Sequence, residues 1–320
     1  MRKLVANITG CTRPIQINTT SSHSSQIATA SFEVMDTTLD IGSPLTIDMG
    51  YEDEYGRVFT GYVKSIDRKE PGMTYQILAS DTLTRAAEYF IASDDPNAPF
   101  SRSNILLENL VSELLGMAGL YLHGWDATYF TIGVSKNVEV NLTGCLDYCR
   151  YLGDIVTWCI WADEFGDIWF KNRKPYVMGG DSPIGTINSL NTVSAKSMVD
   201  GNNLRNKIVI YGSGSVHAVA SDPDCPYLPA GFFKTVVINC AQLFVAQEMA
   251  QMAADYNLEV LDRLTNTMSV VALGEYDYLA RRVITANFPL ISVDNSDWYI
   301  FSAEHNWSEA GYTCSLELKQ

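Results

Sequence analysis

Basic residues are scarce in this chain. Its 320 residues hold 22 Lys and Arg against 37 Asp and Glu, a net charge of −15, and only 18% of them are charged. A sequence-independent grip on nucleic acid or on an anionic membrane needs a surplus of Lys and Arg, so both are excluded for the chain as a whole. The acidity reflects the shortage of bases and not an acidic tail. Long apolar runs are missing too, and none approaches the roughly 18–20 residues of a membrane span. The opening MRKLVANITG is cut by Asn7 and Thr9, which predicts a first β-strand and not a secretory signal. The seven cysteines, at 11, 145, 149, 159, 225, 240 and 314, are odd in number and form no CxxC pair. That favours free thiols in a reducing compartment over a disulfide framework. The hydrophobic content of 47% excludes a disordered chain.

What is present reads as β-rich. At about 150 residues per domain, the length predicts two domains or three pieces. Residues 1–90 carry short runs of Val, Ile, Thr, Tyr and Phe: QIATASFEV, PLTIDMGYE, GRVFTGYVKSI and TYQILAS. Turn signals separate them about every ten residues, including Glu70-Pro71-Gly72, which suggests an antiparallel sandwich or barrel. The Ser/Thr stretch at 20–25 reads as an exposed loop. From 101 the period changes. Apolar residues at 107, 111, 114 and 118 predict a helix, with Ser101 or Ser103 as its cap and Gly116 and Gly119 closing it. A second helix is expected from about Asn141, with Leu142, Leu146, Cys149 and Val156 on one face. WCIWADEFGDIWF then reads as a hairpin turning at Asp163–Asp167, with Gly166 available for positive φ. Residues 176–200 read as a Gly/Pro/Ser/Asn connector. Strands are expected at 206–212 and 232–239, and a long helix at about 240–263 with a stripe of Ala241, Val245, Met249, Met252 and Tyr256. Four strands close the chain: TMSVVALG, RRVITANF, SDWYIFSAEHNWSE and GYTCSLELK. The class is α+β, rich in β.

Residue types that could carry chemistry have bland competing readings. His123, Cys145, Cys149 and Cys159 suggest zinc, but Cys145 and Cys149 stand four apart on an amphipathic helix, where core thiols are the simpler reading. His217 and Cys225, with Asp222 or Asp224, have the types of a nucleophile pair but no nucleophile signature. Gly212-Ser213-Gly214 follows a strand, yet no GxGxxG or GK[ST] and no helix follows, so a turn is expected. GxSxG and HExxH are absent. Glu52-Asp53-Glu54 and Asp163-Glu164 read as solvated hairpin turns rather than metal or glycosidase carboxylates. Trp158, Trp161 and Trp169 form either a core filling or a sugar platform.

The order of the pieces carries more than any single motif. TASFEVMD through IGSPLTIDMGYEDEYGRVFTGYVKSI, then SNILLENLVSELLGMAGL, then LTGCLDYCRYLGDIVTWCIWADEFGDIWF, then NLRNKIVIYG, AQEMAQMAADY, VVALG and WYIFSAEHNWSEAGYTCSLEL, follow one another along the chain. In this order the chain resembles the baseplate or tail-tip hub proteins of tailed phages, the family of late-control tail proteins and prophage tail hubs. After VVALG it departs from the family, because GEYDYLARRV lacks the Pro-Gly turn common there.

The resemblance implies two antiparallel tail-tube-like β-barrels with an inserted helix-plus-hairpin domain. The expected boundaries are 1–90 for the first barrel, 91–178 for an inserted α/β peripheral domain, and 179–320 for strands and a long helix completing the second barrel. The strands at 206–239 are assignable to either barrel. The implied function is a structural hub. Its homotrimer would form a pseudo-sixfold ring joining the hexameric tail tube to a central spike or tip, beside distal tail or baseplate proteins. DNA or a tape measure protein would pass through without specific binding. The implied place is the virion tail, after assembly in the host cytoplasm. Catalytic, cofactor and metal residues are expected to be none. An anionic bore would repel phosphates, which makes Glu52, Asp53 and Glu54 the candidate lumen-lining acids. The alternatives are a tail-associated cell-wall hydrolase and a carbohydrate-binding tail module built on the three Trp residues.

Overall fold

A computed structural model describes residues 2–23, 27–70, 73–95, 97–134, 137–239 and 247–320. Residues 24–26, the turn residues 71–72 and the start of the expected long helix, with Cys240, lie outside the described residues; the rest of the expected Ser/Thr loop is not exposed loop, since Thr20–Ser22 belong to the second strand and His23 is buried. The first segment is all strand: β1 (Leu4–Ile8), β2 (Cys11–Ser22), β3 (Thr29–Thr37), β4 (Pro44–Tyr51), β5 (Glu54–Lys69) and β6 (Thr74–Asp81). The chain then leaves the sheet through α1 (Thr84–Glu88). Short strands follow: β7 (Phe90–Ile91), β8 (Phe100–Arg102), β9 (Ile105–Leu106), β10 (Leu122–Trp125), β11 (Thr131–Ile132), β12 (Val138–Val140) and β13 (Thr143–Gly144). Among them run α2 (Leu107–Met117) and α3 (Cys145–Val156), and the hairpin β14 (Cys159–Ala162) and β15 (Ile168–Lys171) comes after. The chain returns with β16 (Pro183–Asn188) and β17 (Thr192–Asp200). It leaves again through β18 (Lys207–Tyr211), β19 (His217–Ser221), β20 (Thr235–Asn239) and α4 (Gln247–Leu261). It ends in β21 (Thr265–Leu273), β22 (Val283–Phe288), β23 (Val293–Ser308) and β24 (Gly311–Lys319).

Twelve of these strands form one large sheet with two halves of the same order. The first half runs β1-β4-β5-β6-β3-β2, and the second runs β16-β22-β23-β24-β21-β17. Counted from its own first strand, each half reads first, fourth, fifth, sixth, third, second. The irregularities coincide as well. β2 slips against β3 between Pro14 and Gln16, and β17 slips against β21 between Thr192 and Ser194. β5 slips against β6 between Val63 and Ser65, and β23 slips against β24 between Ile300 and Ser302. Even the flanking loops repeat. Gly42 N–H donates to Val63 O and Val63 N–H to Ser43 O, as Arg281 N–H donates to Ile300 O and Ile300 N–H to Arg282 O. One strand breaks the repeat: β1 is antiparallel to β4, whereas β16 is parallel to β22. Among the described residues neither half is closed into a barrel by a strand ladder.

Alternation along these strands builds the core. Ala30, Phe32 and Val34 of β3 point inward, as do Met268, Val270 and Ala272 of β21 and Tyr312, Cys314, Leu316 and Leu318 of β24. A second core lies outside the sheet. It gathers Leu107, Leu110, Val111, Leu114 and Leu115 of α2, Cys145, Leu146, Cys149 and Leu152 of α3, and Ile208, Ile210, Ala218 and Ala220 of β18 and β19. So the strands at 206–239 rejoin neither half. They form a separate three-stranded sheet covered by α4. Alanines, not the larger stripe, make the closest packing of α4: Ala250, Ala253 and Ala254 are fully buried, while Met249, Met252 and Tyr256 flank them.

Three local expectations are corrected. The 176–200 segment holds two strands, because β16 and β17 find distant partners in β22 and β21. Neither Ser101 nor Ser103 caps α2: residue 101 is in β8, and Leu106 at the helix start makes no side-chain cap bond. Leu142 lies before α3 at φ +54 and is exposed. The aromatic hairpin is as expected, with Gly166 at φ +86.

Candidate assembly interface

The two halves meet edge to edge. β2 pairs antiparallel with the second part of β23, from Gln16 opposite Ser308 to Ser22 opposite Ser302. One face of this joint is buried. Ile17 and Thr19 lie inward beside Ala303, His305 and Trp307. His305 is held in one tautomer: its Nε2–H donates to Tyr278 O at 2.9 Å, so Nδ1 accepts from the Tyr312 hydroxyl at 2.6 Å. Burial pushes the His305 pKa down to about 4. A similar buried histidine, His23, sits between the Tyr299 hydroxyl at 2.5 Å and the Cys159 thiol at 3.2 Å. Burial and the nearby Arg281 and Arg173 push His23 down to about 3.

The opposite face of the joint is open and polar. Asn18 Nδ2 donates to Glu304 Oε1 at 2.6 Å and to Asn306 Oδ1 at 2.7 Å across the joint. Thr20 and Thr29 share a hydroxyl bond, Gln76 donates to Ser31, and Thr74 donates to Glu33. Two depressions of ≈ 360 and ≈ 370 Å³ lie on this face. Ser302, Glu304 and Glu317 line both, and Lys196 lines the first. The polar side chains come from positions alternating with core residues, such as Ser302, Glu304 and Asn306 between Ala303, His305 and Trp307.

Glu52, Asp53 and Glu54 lie elsewhere, at the β4–β5 hairpin. Lys3 pairs with Glu52 at 3.2 Å, and Arg2 pairs with Asp53 and Glu54 at 3.1 Å each. Arg2 also reaches Glu275 at 3.6 Å and stacks over Tyr51. These acids are locally offset by the first two basic residues of the chain.

The zinc-type residues do not converge. Cys145 and Cys149 are buried on α3, Cys159 faces His23, and His123 pairs with Asp167 beside Trp169. Among the described residues, the ligand-type atoms gathered within 4.8 Å of one another belong to Asp222, Cys225 and Asp262. Asp224 donates its backbone N–H to Asp222, but His217 lies at the far end of β19, against Tyr211. Gly212 accordingly ends a strand in a turn: its N–H donates to Val216 O. Trp158 is in the outer core against Phe170. Trp161 and Trp169 stand opposite one another across the hairpin, covered by Arg281 and His123. The hairpin's turn is an anchor on the large sheet. Thr60 donates to Glu164 O at 2.7 Å, and Arg282 is bonded to the Glu164 carboxylate. A Cβ on Gly166 would stand 2.7 Å from Thr82 Oγ1.

No family model and no curated protein matches the chain. Solved structures do, over its whole length. The 43 kDa tail protein of prophage MuSo2 from Shewanella oneidensis matches with a TM-score of 0.67 at 14% identity, covering 99% of this chain and 98% of that one. A tail protein from Neisseria meningitidis MC58 matches with a TM-score of 0.67 at 11% identity, covering 99% and 97%. The chain has the fold of phage tail proteins. The same tail-protein fold extends to an E. coli component of the type VI secretion system, described as similar to the T4 bacteriophage tail proteins gp27 and gp5. That match has a TM-score of 0.60 at 8% identity, covering 98% of this chain and 76% of that one.

The resemblance implies two similar barrels in one chain, but no motif that carries it places the joint or the strand-by-strand repeat behind it. One signal for both is present. Tyr62-Val63-x-Ser65-x-Asp67 in β5 matches Tyr299-Ile300-x-Ser302-x-Glu304 in β23, and the two segments hold the same place relative to the coincident slips.

Proposed function

We propose that this chain is a structural, non-enzymatic component of a phage-type tail: a hub whose three copies form a ring of six quasi-equivalent halves. The observation that carries this reading is the doubled strand order, with the two halves already joined edge to edge inside one chain. A cyclic trimer of such a chain offers a nearly sixfold surface to the hexameric tube and a threefold surface to a spike or tip. Each half plays the part of one tube-like barrel, the first from residues 1–81 and the second from 183–200 with 265–319. The elements between them form the peripheral unit. The fold shared with tail proteins supports the same role and a place in the virion tail, with distal tail or baseplate proteins and a tape measure protein as further partners.

The open polar face is the surface suited to line the bore. It offers hydroxyls, amides and the carboxylates of Glu33, Glu304 and Glu317, which would neither bind nor retain passing phosphates. Glu52, Asp53 and Glu54 contribute less to that field, because Arg2 and Lys3 offset them. Among the described residues no helix is long and apolar enough to cross a membrane. Light scattering and negative-stain imaging of the purified chain test the reading. The expected particle is a trimer, a ring with threefold and pseudo-sixfold symmetry. A chain that stays monomeric at every concentration and forms no ring would refute it.

A further inference from the structure

Besides β1 and β16 at the outer ends of the two orders, the joined halves leave two further strand edges bare among the described residues. Among the described residues β17 ends the sheet and pairs only through its β21 side. It is nine residues long, and its Val193, Met198 and Val199 are 69%, 52% and 66% exposed. A long apolar edge strand of this kind is a template for pairing with another chain. The second free edge is on β5. Its ladder with β4 stops at Tyr62 opposite Pro44, and loop bonds reach only as far as Val63. Beyond that, among the described residues, no strand covers 64–69 on that side. A groove of ≈ 820 Å³ runs along it, lined by Leu39, Ile41, Ile66, Asp67, Arg68 and Tyr75.

The chain's own joint shows what fits there. In the repeat, β2 corresponds to β17 and β23 to β5. Aligning the coincident slips sets Asn18 on Lys196 and Ser22 on Asp200. It likewise sets Ser302 on Ser65 and Glu304 on Asp67. β2 lies along β23 over 302–308, and the matching stretch of β5 is the one left bare. We infer that β17 of one copy adds to the bare part of β5 in a second copy, antiparallel, with Val199 opposite Ile66 and Asp200 opposite Ser65.

The side chains are complementary in that register. Within the chain, Asn18 crosses diagonally to Glu304. At the same place between copies stand Lys196 and Asp67, opposite charges that are both exposed and, among the described residues, in no ion pair of their own chain. Lys69 would face Lys196, and its ammonium is already held by Glu33 and Gln76. Each copy therefore carries one edge of each kind. The contact is head to tail, the type that closes into a ring. The inference rests on the trimeric reading and names the surface that makes the trimer.

Paired substitutions in the full chain test it. Lys196→Glu is expected to weaken trimer association about tenfold or more, and adding Asp67→Lys to restore it, since charge swaps at one contact compensate. Oxidising a Val199→Cys/Ile66→Cys variant is expected to give cross-linked dimers and trimers on a non-reducing gel that neither single variant gives. A trimer that is indifferent to Lys196→Glu and does not cross-link at this pair overturns the inference and leaves the ring reading standing. A chain that never leaves the monomer overturns both.

Discussion

Acid should loosen the joint between the two halves through His305. This imidazole faces the inside of β23 directly opposite Thr19, and it donates to a backbone carbonyl while accepting from Tyr312. Burial lowers its pKa from 6.5 to about 4. The folded-state value lies below the unfolded one. The stabilisation is therefore fully present above about pH 6.5 and is lost as pH falls through about 4. By linkage, lowering the pH from 7 to 4.5 removes about 2 to 3 kcal/mol through this one group. His305→Gln keeps a side chain able to donate and accept but removes the titration. The variant should be less stable at pH 7, by about 1–3 kcal/mol for a disturbed buried hydrogen bond. It should then lose about 2 kcal/mol less than the parent between pH 7 and 4.5. Urea unfolding of both proteins at the two pH values measures the difference. His23, Asp81 and the other titrating groups are common to both chains and cancel. If parent and variant lose equal stability on acidification, the buried neutral imidazole is not what the fold protects.

Other perturbations follow from the same structure. Asp81 is buried and its pKa is pushed up to about 7, although the N–H groups of Ala28 and Leu83 pull it the other way. Its contribution is therefore full below about pH 4 and lost as pH rises through 7; a carbon-13 titration of its carboxyl with a midpoint near 7 is expected, and one below 4 refutes the desolvation account. Phe32→Ala and Met268→Ala each remove a buried side chain from the core of one half, and should cost about 3–5 and 2–5 kcal/mol respectively in thermal or urea unfolding. Gly166→Ala places a Cβ against Thr82 in a left-handed turn. It should destabilise by about 1 kcal/mol or more, and hydrogen exchange should show faster opening of 159–171 with the large sheet unchanged.

Much of the architecture could be read from the sequence where local pattern and tertiary role agree. The last four strands alternate cleanly, and the aromatic hairpin carries its own Asp/Gly turn. The 183–200 strands could not be read so. Pro183, Gly185, Asn188, Ser194 and Ser197 argue for a loop locally, and only pairing with strands about 70 to 100 residues later makes them β. β19 was missed for a similar reason: His217-Ala-Val-Ala-Ser is weakly patterned and is held by β18 and α4. The ion pairs of Glu52 to Glu54 with Arg2 and Lys3 join residues about fifty apart, which no local pattern shows. The polar face of the joint was hidden because its residues are dispersed at every second position of separate strands.

The reversed first strand has a consequence for how such a ring would be read by its neighbours. Everything from the second strand of each half onward follows one template, so a partner that touches only those strands meets the same relief six times in a ring of three chains. A partner that reaches the first strand meets β1 running one way and β16 running the other. It finds only three equivalent seats. That single change of direction would let one such ring present two different counts, with the change placed at a strand lying at the outer end of each half's order.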